Sequence, residues 1–231
     1  MKMNLSEAGR LQACMVDLDG TLADTLPDFE AAVARLLLEL SLPPLAAGTV
    51  GQLVGKGGMH LVRRALEIST PGRADELFEA AWNAYQHHYA AVNGQGARLY
   101  PGVPQGLERL RAAGWRLGCV TNKPQGMAEA LLAQLDLAQR FELVYGGDRF
   151  ERRKPDPYPL LRACEALDLP PASVLMIGDS RNDAEAAHAA GCRVRLLTYG
   201  YNHGEPIEAV AADGHHDSLD LLVRAALGGG R

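Results

Sequence analysis

The sequence contains few cysteines, and their spacing excludes the common cysteine-based sites. No two of them form a C-x-x-C pair; the four are Cys14, Cys119, Cys164 and Cys192. A structural zinc site is therefore not predicted. Two of the cysteines stand within short apolar runs, where a thiol usually acts as a small buried hydrophobic group. We predict reduced, buried cysteines in a cytoplasmic protein.

Long apolar segments and a basic excess are also absent. No run approaches the roughly 20 apolar residues that a membrane-spanning helix needs, and residues 1–10 are too polar for a signal peptide. The 23 Lys and Arg residues face 28 Asp and Glu residues, which gives a formal net charge of −5. These features argue against a membrane anchor and against a nucleic-acid partner, which needs a basic surface. A small anionic ligand stays open, because a local cluster of cations can bind one.

The apolar residues, 47% of the chain, are sufficient for a globular core and follow a repeating order. Short apolar runs predict buried strands at residues 13–18, 115–120, 143–145, 174–177 and 194–197. Helical spacing between these runs predicts helices at residues 103–113, 125–135, 158–167 and 182–190. The alternation predicts an α/β fold, a doubly wound Rossmann-like parallel sheet with helices on both faces. The polar segment 213–217 leaves open whether a sixth strand forms.

Residues 26–95 interrupt this alternation. Apolar residues recur at positions 29, 32, 33, 36, 37 and 40, which predicts a one-faced amphipathic helix. No strand pattern follows it before residue 95. We therefore predict a helical cap domain, residues 26–95, inserted after the first strand of a catalytic core formed by residues 1–25 and 96–231. The hinges are expected at residues 23–27 and 93–101, which contain proline and glycine.

Polar residues follow the predicted strands, at the sheet edge where such folds bind ligands. They are Asp17 and Asp19 after the first strand, Thr121 and Asn122 after the second, Lys154 after the third, and Asp179 and Asp183 after the fourth. Four carboxylates cannot all be ionised in a small space without a cation, and oxygen ligands favour a hard ion such as Mg²⁺. Lys154, the Thr121 hydroxyl and the helix start after Asn122 suit the oxygens of a phosphate. The sequence therefore predicts a site for Mg²⁺ and a phosphate together.

The first two aspartates can have different roles in such a site. Asp17, at the strand end, can attack phosphorus and form an aspartyl-phosphate. Asp19 lies two residues further on, on the same side of the chain. It can protonate the leaving alkoxide and later deprotonate the attacking water. The backbone N–H groups of Leu18 and Asp19 can also face the phosphate.

The order of these motifs resembles that of the haloacid dehalogenase superfamily. The motifs are DLDGT at residues 17–21, TN at 121–122, the lysine of KPDP at 154 and GDSRND at 178–183. The resemblance extends over nearly the whole chain, including the insert. Haloalkanoate dehalogenases of this fold lack the second aspartate, because a halide leaving group needs no general acid. Asp19 therefore favours a phosphatase.

The resemblance also implies a role for each residue in a Mg²⁺-dependent phosphatase. Asp17 would be the nucleophile and Asp19 the acid and base, while Thr121 and Lys154 would hold the phosphate. The implied metal ligands are Asp17, the carbonyl of Asp19, Asp179 and, through water, Asp183.

Within the superfamily, the chain is most similar to bacterial phosphoglycolate phosphatases. The similarity includes the stretches LVGKGGMHLVRRAL at residues 53–66 and LTYGYNHGEPI at 197–207. It implies hydrolysis of 2-phosphoglycolate to glycolate and phosphate. One alternative is a phosphatase for a sugar phosphate, a nucleotide or pyrophosphate. The others are a phosphomutase and a non-catalytic sensor of a phosphorylated ligand. The expected partner is a small phosphorylated metabolite, and the chain is expected to be a monomer or a homodimer.

Substrate discrimination is assigned to the cap, because the core motifs contact only the phosphate. In the turn VGKGG, residues 54–58, Lys56 offers a cation and the glycines let the backbone approach a ligand. Arg63 and Arg64 lie on the predicted helix that follows. The turn is not a P-loop, because the G-x-x-x-x-G-K spacing is absent. We predict that Lys56, assisted by Arg63 or Arg64, recognises the carboxylate of the substrate.

Overall fold

The computed structural model describes residues 11–228; the ends of the predicted core domain, residues 1–10 and 229–231, lie outside the described residues. The strands are β1 (Ala13–Val16), β2 (Ala23–Asp24), β3 (Arg98–Leu99), β4 (Arg116–Val120), β5 (Leu143–Tyr145), β6 (Val174–Gly178), β7 (Arg193–Leu197) and β8 (His215–His216). Six of them form one sheet in the order β5-β4-β1-β6-β7-β8, with every neighbouring pair parallel. The five predicted strands are confirmed. A short sixth strand, β8, forms within the polar segment.

Five helices pack on the two faces of this sheet: α4 (Val103–Ala112), α5 (Gln125–Gln134), α6 (Tyr158–Ala166), α7 (Arg181–Ala190) and α8 (Leu219–Gly228). The helices before them, α1 (Leu26–Glu39), α2 (Gly58–Ser69) and α3 (Ala74–Val92), form the insert. Alternate residues of a strand point to opposite faces, so Cys14 and Val16 pack with α4, α5 and α8, while Ala13 and Met15 pack with α6 and α7. The predicted doubly wound α/β fold is confirmed. Within residues 11–228, no helix has both the length and the apolar character needed to cross a membrane.

The insert is helical and has its own apolar core. The buried face of α1 includes Phe29, Val33 and Leu36, which meet apolar residues of α2 and α3 in a cluster separate from the two beside the sheet. Pro27 occupies the first turn of α1, where its missing N–H costs no helical hydrogen bond. This second core lets residues 26–95 cover the sheet edge as a packed body.

A small antiparallel ribbon that the sequence did not predict joins the two hinges. Ala23 of β2 pairs with Leu99 of β3. Nearby, the buried carboxylate of Asp28 accepts hydrogen bonds from the backbone N–H groups of Gly94 and Gly96, each at 2.7 Å. These bonds hold the entry and exit of the insert side by side.

The four cysteines are free and buried, as the sequence predicts. Cys164 and Cys192 lie next to each other, with their sulfur atoms 3.9 Å apart. Both side chains belong to the apolar cluster between the sheet and α6 and α7. They act as core residues in this structure.

Candidate active site

The carboxyl end of β1 carries two aspartates that line one cavity between the sheet and the helical insert. Asp17 still belongs to the sheet hydrogen-bond pattern, because its N–H donates to the carbonyl of Ile177 at 2.9 Å. The chain then turns at Gly20, whose φ of 84° glycine adopts without strain. The turn leaves Asp17 and Asp19 at the cavity, while Leu18 between them is fully buried.

Asp17, Asp179 and Asp183 form an acidic cluster in which one oxygen of each lies within 4.8 Å of the others. Burial raises the pKa of Asp17 to about 7, although the charge of Lys154 opposes the shift. Burial, together with the charge of Asp183, raises the pKa of Asp179 well above its usual range. Crowded, buried oxygen donors that lack sufficient positive charge suit a hard divalent cation. The donor set therefore fits a divalent metal ion, which these three residues would hold.

Neighbouring groups fix the orientation of the two carboxylates that follow β6. The Thr21 hydroxyl donates to Asp179 Oδ1 at 2.5 Å, and the backbone N–H of Tyr201 donates to Asp179 Oδ2 at 2.6 Å. Asp183 closes a capping box at the start of α7, and its Oδ2 accepts from the Ser180 hydroxyl at 2.7 Å. The same aspartate therefore caps a helix and belongs to the acidic cluster.

Lys154 supplies a buried positive charge beside this cluster. Its Nζ lies 3.0 Å from Asp17 Oδ1 and 2.6 Å from Asp183 Oδ1. Burial alone would lower the pKa of Lys154, but the two carboxylates outweigh burial and raise it above its usual value. The ammonium is therefore charged at neutral pH. The side-chain amide of Asn122 donates to the Lys154 carbonyl at 2.9 Å and holds this loop in place.

The predicted phosphate-binding residues meet at the same end of the cavity. Thr121, Asn122 and Lys154 all line it. The side chain of Leu18 is buried in the core, so only its backbone could serve a ligand, and here its N–H donates to Asp17 Oδ1 at 2.7 Å. The structure brings these four residues together, and their roles toward phosphate stay predictions.

The insert contributes an aromatic wall to the cavity, whose volume is about 400 Å³. Phe29 of α1 stacks on Tyr89 of α3 with ring centroids 5.0 Å apart. Tyr89 stacks on Tyr85 at 5.3 Å, and Tyr85 stacks on Trp82 at 5.8 Å. These four rings line the same cavity as the polar side chains at the strand ends.

The glycine-rich turn before α2 rests on the core, but Lys56 does not face the cavity. The side-chain amide of Asn182 donates to the Gly55 carbonyl at 2.9 Å, and a ring nitrogen of His203 bonds the Val54 carbonyl at 2.9 Å. Lys56 itself is exposed and lines an outer groove beside α7 instead. No contact between Lys56 and the cavity supports its predicted role in specificity, which stays a prediction.

The structure does not bring Arg63 or Arg64 to the cavity, which corrects the expected geometry. Arg63 pairs with Asp75, and Arg64 pairs with Glu67 one turn along α2. Both guanidinium groups lie on the outer surface of the insert, where nearby carboxylates bind them. The sequence predicted the helix that carries them. Which face of α2 turns away from the cavity depends on how the helix packs, and the sequence pattern did not show it.

Lys123 is a cavity residue that the sequence did not single out. Its side chain is fully buried, and its ammonium lies 3.1 Å from Asp19 Oδ1 and also bonds the Tyr89 hydroxyl. The sequence feature that could have identified Lys123 is its position two residues after Thr121, at the end of the same strand. Tyr201, which binds Asp179 through its backbone, lies within the stretch 197–207 that carries the family similarity, but no motif there indicated a role at the site.

A family model for haloacid dehalogenase-like hydrolases, described as a hydrolase, matches residues 11–191. This span contains the insert and all four motifs at the strand ends.

Curated proteins and solved structures resemble the chain over nearly its whole length. It is 42% identical over 210 residues to the phosphoglycolate phosphatase of Nitrosospira multiformis, which covers 90% of this chain and 92% of that one. It is 43% identical over 210 residues to a phosphoglycolate phosphatase of Cupriavidus necator, with 91% and 90% covered. The crystal structure of a predicted phosphoglycolate phosphatase from Haemophilus somnus 129PT superposes with a TM-score of 0.88 at 32% identity, covering 93% of this chain and 97% of that chain.

Proposed function

The chain belongs to the haloacid dehalogenase-like hydrolases and is a phosphatase, and from this premise we propose that it converts 2-phosphoglycolate to glycolate and phosphate. The proposed reaction depends on Mg²⁺ and passes through an aspartyl-phosphate formed on Asp17. The names of the curated relatives support the substrate, and the acidic cluster supports the metal requirement.

The proposed mechanism depends on the different surroundings of Asp17 and Asp19. Asp17 lies in the acidic cluster, 3.0 Å from the ammonium of Lys154, whereas Asp19 stands outside the cluster and pairs with Lys123. Two carboxylates from one strand end therefore have different surroundings. In acid–base enzymes, such differences assign carboxylates to different roles.

Asp17 is the proposed nucleophile. A carboxylate must be ionised to attack phosphorus, and Lys154 favours the ionised form of Asp17. When bound by Asp17, Asp179 and Asp183, Mg²⁺ would neutralise part of the negative charge of the cluster and of the phosphate. Lys154 and Thr121 line the same cavity, where they would contact the remaining phosphate oxygens.

Asp19 is the proposed acid and base. It lines the cavity, and its side chain is only 14% exposed. From there it would give a proton to the leaving oxygen of the ester and later take one from the attacking water. The aromatic wall limits access by other water molecules, which protects the acyl phosphate between the two steps.

The volume of the cavity favours a second candidate substrate class. A cavity of about 400 Å³ lies in the range of pockets that hold drug-sized ligands, and 2-phosphoglycolate is smaller than these. The stacked rings could also contact a sugar or a base. A sugar phosphate or a nucleotide is therefore the alternative substrate, with the same chemistry at phosphorus.

A comparison of small phosphomonoesters tests the proposed substrate. Phosphate release would be measured with Mg²⁺ for 2-phosphoglycolate, sugar phosphates, nucleotides, pyrophosphate and p-nitrophenyl phosphate. We expect the highest kcat/KM for 2-phosphoglycolate. A higher kcat/KM for a sugar phosphate or a nucleotide would identify that compound as the better substrate. The proposed mechanism at phosphorus would be unchanged. Turnover only when an acceptor alcohol is added would instead identify a phosphomutase.

The role of Asp19 predicts a dependence on the leaving group. We expect Asp19→Asn to reduce kcat/KM for alkyl phosphates about 100-fold or more, the usual scale for losing a general acid. The loss for aryl phosphates is expected to be smaller, because a phenolate leaves without full protonation. Steady-state kinetics on ethyl phosphate and p-nitrophenyl phosphate make the comparison. Equal losses on both esters would mean that Asp19 acts only as a structural residue.

A further inference from the structure

We infer that Lys123 binds the carboxylate of the substrate and thereby selects phosphoesters that carry a carboxylate next to the ester oxygen. This inference rests on the proposed function and adds the residue that recognises the part of the substrate outside the phosphate. Lys123 lies in the loop after β4, on the core, and its ammonium reaches the insert across the cavity.

The environment of Lys123 is unusual for a lysine. Of the three lysines within residues 11–228, Lys123 and Lys154 are buried, and both line the cavity. Lys154 donates to the carbonyl of Val120 and to Asp183, and it also pairs with Asp17. Its donors are therefore committed to the acidic cluster. Lys123 has fewer partners, so more of its hydrogen-bonding capacity is left for a ligand.

The contacts of Lys123 leave one of its hydrogen-bond donors without a partner among the described residues. An ammonium has three N–H donors, and its hydrogen bonds here go to Asp19 Oδ1 and to the Tyr89 hydroxyl. The rest of its surroundings on the insert side are ring faces, since Nζ lies 4.7 Å from the centroid of Tyr89 and 5.3 Å from that of Phe29. Ring faces favour a cation without using its donors. The third donor therefore has no hydrogen-bond partner among residues 11–228. Because the side chain is fully enclosed here, a carboxylate would accept from this donor only by entering between Lys123 and the rings.

The position of Lys123 matches the length of the proposed substrate. Asp19 must stand within one hydrogen bond of the leaving oxygen to protonate it, and Lys123 Nζ lies 3.1 Å from Asp19. In 2-phosphoglycolate a single methylene group separates that oxygen from the carboxylate. A cation beside Asp19 is therefore within reach of this carboxylate. Esters whose charge lies further from the ester oxygen would place it away from Lys123.

The other cations near the cavity are less suited to this role. Arg153 lines the cavity but is exposed, and Lys56 lies in the outer groove. Water screens an exposed cation more strongly than a buried one, so its attraction for a carboxylate is weaker. Lys123, whose side chain is fully buried, gives the stronger and more selective contact.

Charge deletion at two lysines tests the inference. We expect Lys123→Met to reduce kcat/KM for 2-phosphoglycolate about 10- to 100-fold more than for ethyl phosphate, the range for losing a hydrogen bond to a charged group. Both esters need Asp19, so a change that only disturbs Asp19 would affect them equally. Lys56→Met removes a lysine charge from the outer groove. It tests the sequence-based prediction that Lys56 recognises the carboxylate of the substrate. A selective loss in Lys56→Met, or an equal loss on both esters in Lys123→Met, would overturn the inference.

A measurement on the unmodified protein covers the case in which Lys123→Met does not fold. Glycolate and its neutral amide, glycolamide, would be compared as inhibitors of p-nitrophenyl phosphate hydrolysis. We expect glycolate to inhibit at about 10-fold lower concentration, because only glycolate carries the charge that Lys123 binds. Equal inhibition by the two compounds would contradict the inference. This result would not contradict the proposed hydrolysis of 2-phosphoglycolate. The proposed hydrolysis would be contradicted only if the protein did not turn over 2-phosphoglycolate.

Discussion

Asp17→Asn is expected to reduce phosphatase turnover to the background rate, a loss of at least about 1,000-fold in kcat. The substitution preserves the size of the side chain but removes the charge that attacks phosphorus. The amide still reaches the cavity, so phosphate and substrate can still bind. Initial rates of phosphate release from 2-phosphoglycolate, measured with Mg²⁺ for both proteins, give the result.

A matched substitution controls for non-specific effects of exchanging an aspartate. Asp75 pairs with Arg63 on the surface of the insert, and its side chain is 91% exposed. Asp75→Asn should therefore leave turnover unchanged, because pairs between exposed groups contribute little to stability. If Asp17→Asn retained more than about a tenth of the turnover of the unmodified protein, covalent catalysis by Asp17 would be excluded.

Removal of divalent metal ions is expected to abolish turnover, and added Mg²⁺ is expected to restore it. Without a cation, the carboxylates of Asp17, Asp179 and Asp183 face a phosphate with only Lys154 to balance their charge. Ca²⁺ should inhibit, because its longer and looser coordination would misplace the nucleophile and the phosphate. Rates in excess chelator, followed by titration with each ion, test this. Full activity in excess chelator would contradict the metal site.

Thermal unfolding gives a second test of the same site that does not require turnover. Without metal, burial raises the pKa of Asp17 from 3.8 to about 7, so between these values the folded protein retains a proton that the unfolded chain releases. The metal-free protein therefore loses stability as pH rises through this window. Mg²⁺ takes the place of the proton, so the increase in Tm on adding Mg²⁺ should be larger at about pH 8 than at about pH 5. Asp179→Asn should reduce the increase.

The sheet could be predicted because its strands are covered on both faces. Such strands are continuous apolar runs, and the polar residues that end them are visible in the sequence. The ribbon of β2 and β3 has only two residues in each strand, which is too short for a periodic pattern. The edge strand β8 consists of His215 and His216, whose side chains carry no strand signal.

The core of the candidate site could be predicted for a related reason. Parallel strands end at the same edge, so Asp17 and Asp179, which directly follow β1 and β6, had to meet there. The contacts of the insert could not be predicted in this way. Lys56 lies in a turn whose side-chain directions no periodicity fixes. Lys123 meets Tyr89 only because the insert folds back over the sheet.

The stereochemical course at phosphorus tests the central claim, the covalent intermediate on Asp17, most directly. The substrate would be a 2-phosphoglycolate analogue made chiral at phosphorus with sulfur and oxygen isotopes, hydrolysed in isotopically labelled water. Attack by Asp17 followed by attack by water gives two inversions, so we expect the chiral thiophosphate product to retain the configuration of the substrate. Inversion would mean that water attacks the ester directly, and it would contradict the aspartyl-phosphate mechanism.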